Sequence, residues 1–254
     1  MIYILFFLVL LGPRRPESVL CTEKGIFVSD IGEFGSMPDG KIYVLNGDSV
    51  KIYADSLTDP KGLAYFNGRL YVADKDRIWE ITDSTRSVYI GPDSFPARPE
   101  FLNDLAVDSS GILYVSDTWM GAVFKVDTAG RAETFVKVES PNGLAWWKGK
   151  LYCVSFTKPG KLFVVENGTA GEIFSSEDIN GADGLAIRKG EIYISGYNSG
   201  KVVRLILEDK KAVNPKVIKE KLTTPADICL SPGGDTLYVP LLQKGKIVTV
   251  ELKK

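Results

Sequence analysis

Apolar and polar positions alternate with period two along most of the chain, in short segments bounded by glycine-bearing turns. Clear cases are Arg77-Ile-Trp-Glu-Ile81, Ala122-Val-Phe-Lys-Val126, Lys161-Leu-Phe-Val-Val165, Lys201-Val-Val-Arg-Leu205 and Lys246-Ile-Val-Thr-Val250. Alternation of this kind predicts β-strands, and no segment carries a comparable helical period.

The segments recur. A Tyr between apolar residues appears in Ile42-Tyr43-Val44, Leu70-Tyr71-Val72, Leu113-Tyr114-Val115, Leu151-Tyr152-Cys153, Ile192-Tyr193-Ile194 and Leu237-Tyr238-Val239, at steps of 28, 43, 38, 41 and 45 residues. A turn precedes each, such as Asn67-Gly68 or Lys148-Gly149, and upstream of most turns lies a run such as Gly62-Leu-Ala-Tyr65. Three or four strands per repeat of about forty residues is the pattern of a propeller blade. The expected fold is therefore all-β, a six-bladed β-propeller of four-stranded antiparallel blades. The last repeat ends after its third strand, so Gly25–Asp30 is expected to supply the missing outer strand and close the ring from the amino-terminal side.

Composition narrows the chemistry. Thirty-one basic and 32 acidic residues give a formal net charge of −1, with no basic footprint for nucleic acid or for an anionic membrane. The chain has no histidine, which excludes a Ser-His-Asp triad, a Cys-His dyad and His-rich zinc sites. Catalysis would have to use carboxylates, Lys, Tyr, a thiol or a metal held by oxygen. Three cysteines are too few for a disulfide framework, and Cys153 and Cys229, both in apolar runs, read as buried small hydrophobes.

Residues 1–11 form an apolar run ended by Gly12-Pro13. It is too short to span a bilayer and reads as a signal-peptide core or anchor, or else as an ordinary N-terminal strand or the product of a start placed too early. The first reading implies export to a periplasmic or extracellular location, the second a cytoplasmic protein. On the first, residues 1–20 lie outside the fold and a single domain covers 21–254.

The inner strand of a propeller blade starts at the mouth of the central channel. Ten residues before the Tyr landmarks stand Glu33, Lys61, Asn142 and Asp183, and small turn insertions bring Asn103 and Ala226 to the equivalent place. Each alone is ordinary turn chemistry. Together, two carboxylates and two amides converge on one axis, where like charges repel unless a cation or proton intervenes. Oxygen-only ligation suits Ca²⁺, and less well Mg²⁺ or Mn²⁺. The competing arrangement has Lys61 neutralising Glu33 or Asp183 with no metal.

Ser140-Pro-Asn-Gly-Leu-Ala-Trp146, Asn103-Asp-Leu-Ala-Val-Asp108 with Gly111, and Ala182-Asp-Gly-Leu-Ala186 resemble the senescence marker protein/gluconolactonase (LRE-like, regucalcin-type) family of six-bladed propellers, across residues 25–254. The resemblance implies one divalent cation, Ca²⁺ or Zn²⁺, on Glu33, Asn142 and Asp183. It also implies a role for Asp183 as the base that opens a lactone, and for Asn103 in holding water or substrate. Two departures stand out. Phe101 occupies the place of the Arg two residues before the third-blade Asn in sugar lactonases, and the usual first-blade Glu-Gly-Pro reads Glu33-Phe34-Gly35. With Lys61 in the ring, they weigh against a sugar lactone, and Lys61 could instead neutralise an acidic substrate group. Trp119, Phe156 and Tyr197, each four or five residues past a landmark Tyr, either wall an apolar pocket or pack between blades.

Two functions follow. One is a metal-dependent hydrolase of lactones or related esters, with a small-molecule substrate. The other is a non-catalytic scaffold that binds a ligand or a protein partner around a channel neutralised by Lys61.

Overall fold

The structure is a computed structural model and describes residues 12–35 and 37–252. It is a six-bladed β-propeller in which each blade is an antiparallel meander. Blade one comprises β1 Pro16–Thr22, β2 Gly25–Asp30, β3 Gly40–Asn46 and β4 Ser49–Leu57. Blade two follows with β5 Pro60–Phe66, β6 Arg69–Asp74, β7 Arg77–Ile81 and β8 Arg86–Ile90. Blade three has β9 Leu102–Val107, β10 Leu113–Asp117, β11 Ala122–Val126 and β12 Ala132–Lys137. Blade four has β13 Pro141–Trp147, β14 Lys150–Ser155, β15 Gly160–Glu166 and β16 Thr169–Ser176. Blade five has β17 Ala182–Arg188, β18 Glu191–Gly196, β19 Lys201–Glu208 and β20 Lys211–Lys219. Blade six has, among the described residues, only β21 Cys229–Leu230, β22 Thr236–Leu241 and β23 Lys246–Glu251.

Burial falls off outward within a blade. In blade three every residue of β10 is buried, whereas in β12 only Val136 is buried and the rest are half-buried or exposed. Second strands are covered on both faces by the neighbouring blades, which is why each is apolar at its centre around its landmark aromatic residue. The landmark tyrosines Tyr71, Tyr114, Tyr152 and Tyr193 are buried here, and Tyr71 and Tyr193 place their hydroxyls on Glu80 and Glu191 at the blade surface.

Three expectations are corrected. The propeller begins before residue 21, because Pro16–Leu20 belongs to β1, the inner strand of blade one. Residues 1–11, where the signal or anchor was expected, lie outside the described residues. Next, Gly25–Asp30 does not complete blade six. It is the second strand of blade one, paired with β1 on one side and β3 on the other. Tyr43 therefore sits in a third strand, and the true landmark of blade one is Phe27, 44 residues before Tyr71. That spacing removes the anomalous short step of the repeat.

The third correction concerns the ring closure. Cys21 and Cys229 form a disulfide between β1 and β21, so Cys229 is not a lone hydrophobe, whereas Cys153 is free and buried as expected. The same seam carries a backbone bond from Asp227 N–H to the Glu17 carbonyl (3.0 Å) and a bond from the Ser18 hydroxyl to the Asp227 carboxylate (2.5 Å). The inner strands pack side by side around the axis, and β1 touches β21 where the circle meets.

Candidate active site in the channel mouth

Each of the first five inner strands loses register with its neighbour near its start, between Pro16 and Val19, Pro60 and Leu63, Leu102 and Leu105, Pro141 and Leu144, and Ala182 and Leu185. A bulge of this kind turns a side chain out of the ladder. The residues inside the breaks are the ring positions, and the bulge aims them into the channel. Serines of the second strands fill the broken ladder. Ser29, Ser116 and Ser195 accept from the backbone N–H groups of Ser18, Asp104 and Gly184 at 2.8–2.9 Å. The inner strands also approach very closely. A Cβ at Gly143 would lie 2.2 Å from the Asp183 carbonyl oxygen, and one at Gly62 would lie 2.4 Å from the Asp104 Cα. Glycine there is a condition of the narrow ring.

The observed ring is Glu17, Lys61, Asn103, Asn142, Asp183 and Ala226, which together line one cavity of about 220 Å³. Five of the six match the expected positions. The sixth does not: Glu33 is exposed in the loop between β2 and β3, where its N–H donates to Asp39. Glu17 takes its place. It stands ten residues before Phe27, the spacing that separates Lys61 from Tyr71 and Asp183 from Tyr193. The signal was present in Ile26-Phe-Val-Ser-Asp30, which parallels Leu113-Tyr-Val-Ser-Asp117. Setting residues 1–20 aside as a leader hid it.

Phe101, Trp119, Phe156 and Tyr197 all face this cavity, joined by Phe34. The ring of Phe101 stacks on Trp119 at 4.5 Å and meets Phe34 at 5.8 Å. Phe156 contacts Tyr197 at 5.7 Å. Asp117 fixes the loops that carry Phe101 and Trp119 by accepting from the N–H groups of Glu100, Phe101 and Met120 at 2.8–3.1 Å. Asn103 donates from its amide to Thr118, whose hydroxyl donates to the Pro141 carbonyl.

The floor of the cavity is acidic and incompletely bonded. Glu17 Oε2, Asn142 Oδ1 and Asp183 Oδ1 are buried and have no hydrogen-bond partner among the described residues. Unpaired buried oxygens are costly, so three from blades one, four and five on one cavity ask for a cation or protons. The donor set is all oxygen, the preference of hard divalent cations. Among the described residues no three Asp, Glu or Cys side chains are grouped to hold a metal ion; the candidate set depends on the Asn142 amide oxygen.

With no cation, burial raises the pKa of Glu17 well above the ordinary value, reinforced by Asp183 and Asp227 and opposed by Lys61. Burial likewise raises Asp183, with Asp227 and Asp104 adding to it. Besides Glu17, two of these acids had not been singled out from sequence. Asp104 and Asp227 stand one residue past the ring and lock adjacent blades together. Asp104 accepts from Leu144 N–H at 2.6 Å and from Leu105 N–H at 2.7 Å. Asp227 accepts from Ser18 and from Ile228 N–H, yet burial still pushes its pKa up to about 7.

Lys61 is 2% exposed. Burial lowers its pKa, against the pull of Asp59, Glu17, Asp74 and Asp117. Its Nζ donates to the Asp59 carbonyl at 3.1 Å and lies 4.3 Å from the centre of the Phe101 ring. It forms no ion pair with Glu17 or Asp183, so direct neutralisation of the ring by Lys61 is not what the structure shows.

No protein-family model matches the chain, and neither does any curated protein. Solved structures do match. A gluconolactonase from Xanthomonas campestris superposes with a TM-score of 0.74 at 15% identity, over 95% of this chain and 87% of that one. A chain of the nidogen/laminin complex gives 0.72 at 14% identity, over 86% and 88%. A streptogramin B lyase gives 0.69 at 16%, over 97% and 96%. At such identities the likeness establishes a shared propeller fold and nothing finer.

Proposed function

We propose that the channel mouth is the active site of a divalent-metal-dependent hydrolase of the gluconolactonase-like type, which opens a lactone or related ester. The observation that carries this reading is the convergence of three orphaned oxygens, Glu17 Oε2, Asn142 Oδ1 and Asp183 Oδ1, on one aromatic-walled cavity. These residues would hold the ion, with Ca²⁺ the best match to a carboxylate and amide set and Mn²⁺, Mg²⁺ or Zn²⁺ the alternatives. When bound, the cation supplies Lewis-acid polarisation of the acyl carbonyl.

The chain does the rest. Asp183 takes the proton of the attacking water as the new C–O bond forms and returns it to the ring oxygen as the lactone C–O bond breaks. Asn103, held by Thr118, orients that water or the acyl oxygen. Phe101, Trp119, Phe156 and Tyr197 exclude bulk water and hold an apolar body, and Lys61 supplies positive charge beside it. Phe101 in place of a sugar-binding Arg fits an apolar substrate better than a sugar lactone. The Cys21–Cys229 disulfide is of a kind that persists in oxidising compartments, which supports export.

The second reading, a non-catalytic scaffold for a ligand or protein, is favoured by the buried Lys61 among the ring residues. Hydrolysis of a panel of aryl and alkyl lactones and phenyl esters separates the two. The hydrolase reading expects calcium-dependent turnover that is abolished by chelator and falls at least a hundredfold in Asp183→Asn (about 2.7 kcal/mol of barrier). No turnover with any of the four ions would leave the scaffold.

A further inference from the structure

Among the described residues that line the cavity Lys61 is the one cation, and its hydrogen bonding is unfinished. An ammonium group has three N–H donors. Among the described residues Lys61 uses one of them, on the Asp59 carbonyl. The carboxylates of Asp59, Glu17, Asp74 and Asp117 act on its charge, and the ring faces of Phe101 at 4.3 Å and Phe34 at 5.7 Å lie beside it. The rings stabilise the positive charge and leave two N–H groups without an acceptor oxygen. Underpaired buried donors are as costly as orphaned acceptors, and Lys61 lines the cavity.

The walls define the rest of the ligand. At the mouth Phe101 stacks on Trp119 and meets Phe34 at a tilt, with Phe34 51% and Trp119 64% exposed. Phe156 and Tyr197 form a second aromatic pair. Exposed aromatics above a buried charge make a slot for a flat apolar body with one polar end.

We propose that the cavity selects a carboxylate-bearing ligand with an aromatic or flat apolar body, its carboxylate accepting from Lys61 Nζ beneath Phe34 and Phe101. The proposal rests on this cavity being the substrate site, and is independent of whether a metal is bound. It makes Lys61 a specificity-determining residue.

The test uses three probes of one shape: phenylacetate, phenylacetamide and benzylamine. Their binding is measured by calorimetry on chelator-treated protein and again with calcium added. The expected result is phenylacetate binding at least tenfold tighter than phenylacetamide in both states, with benzylamine weakest. Lys61→Met should abolish that preference and Lys61→Arg should keep it. Should Lys61→Met not fold, Lys61→Gln serves in its place. Equal affinities, or a preference for benzylamine, would overturn the proposal. So would an anion preference that needs calcium and survives Lys61→Met, because the carboxylate would then be sitting on the metal. That last outcome would still support the metal site, whereas anion selectivity through Lys61 without any calcium binding would sink the metal and leave this proposal standing.

Discussion

Asp227 shows how far a single side chain can be read. It follows Ala226, the one ring position with no polar group, and nothing in Pro225-Ala-Asp227 marks it apart from a turn residue. Only the closed ring reveals that its carboxylate meets Ser18 across the seam at 2.5 Å. The same enclosure gives a pH dependence. Without metal, burial raises Glu17, Asp104, Asp183 and Asp227, the last to about 7. Unfolded, these acids titrate at about 4. Between those values the folded protein holds more protons than the unfolded chain, so its stability falls as pH rises. The stabilising contribution is complete below the unfolded pKa and is lost through the folded one. Thermal melts of chelated protein should decline from about pH 4 to about pH 7, with a flatter profile in Asp227→Asn. A melting temperature that rises across that window would contradict the assignment.

Among the elements, β1 carries most of the structural burden. It supplies Glu17 to the cavity, Ser18 to the seam and Cys21 to the disulfide. It was also the strand least legible from sequence, because it follows an apolar run that resembles a leader. The displaced landmark had the same origin: Tyr43 and Phe27 both sit between apolar residues, and only pairing decides which strand is second. The cysteine reading failed for a related reason. Cys21 and Cys229 are 208 residues apart, and only the circular order of the blades brings them together. Closing so long a loop restrains the unfolded chain, and removing such a bridge typically costs about 2–5 kcal/mol. Cys229→Ser, or reduction of the wild type, should lower the melting point and weaken calcium binding together, because Glu17 lies four residues before Cys21 in the same strand. Unchanged melting on reduction would show that the remaining seam contacts suffice.

For the whole molecule, the six-bladed architecture was legible because every blade is packed between neighbours, which imposes the repeated apolar centre of the second strand and the alternating third strand after it. Lys61, Asn103, Asn142, Asp183 and Ala226 could be placed by counting within that repeat. Glu17 could not, since its blade was counted from the wrong strand, and the cross-blade roles of Asp104 and Asp227 depend on contacts that no local pattern encodes. On the proposed function, Glu17 rather than Glu33 completes an oxygen-lined cation site with Asn142 and Asp183. Calorimetric titration of calcium into chelator-treated wild type, Glu17→Gln and Glu33→Gln tests it directly. The account predicts one site in the wild type, an affinity at least tenfold weaker in Glu17→Gln (about 1.4 kcal/mol), and no change in Glu33→Gln. A wild type that binds no calcium, or a loss confined to Glu33→Gln, would contradict it.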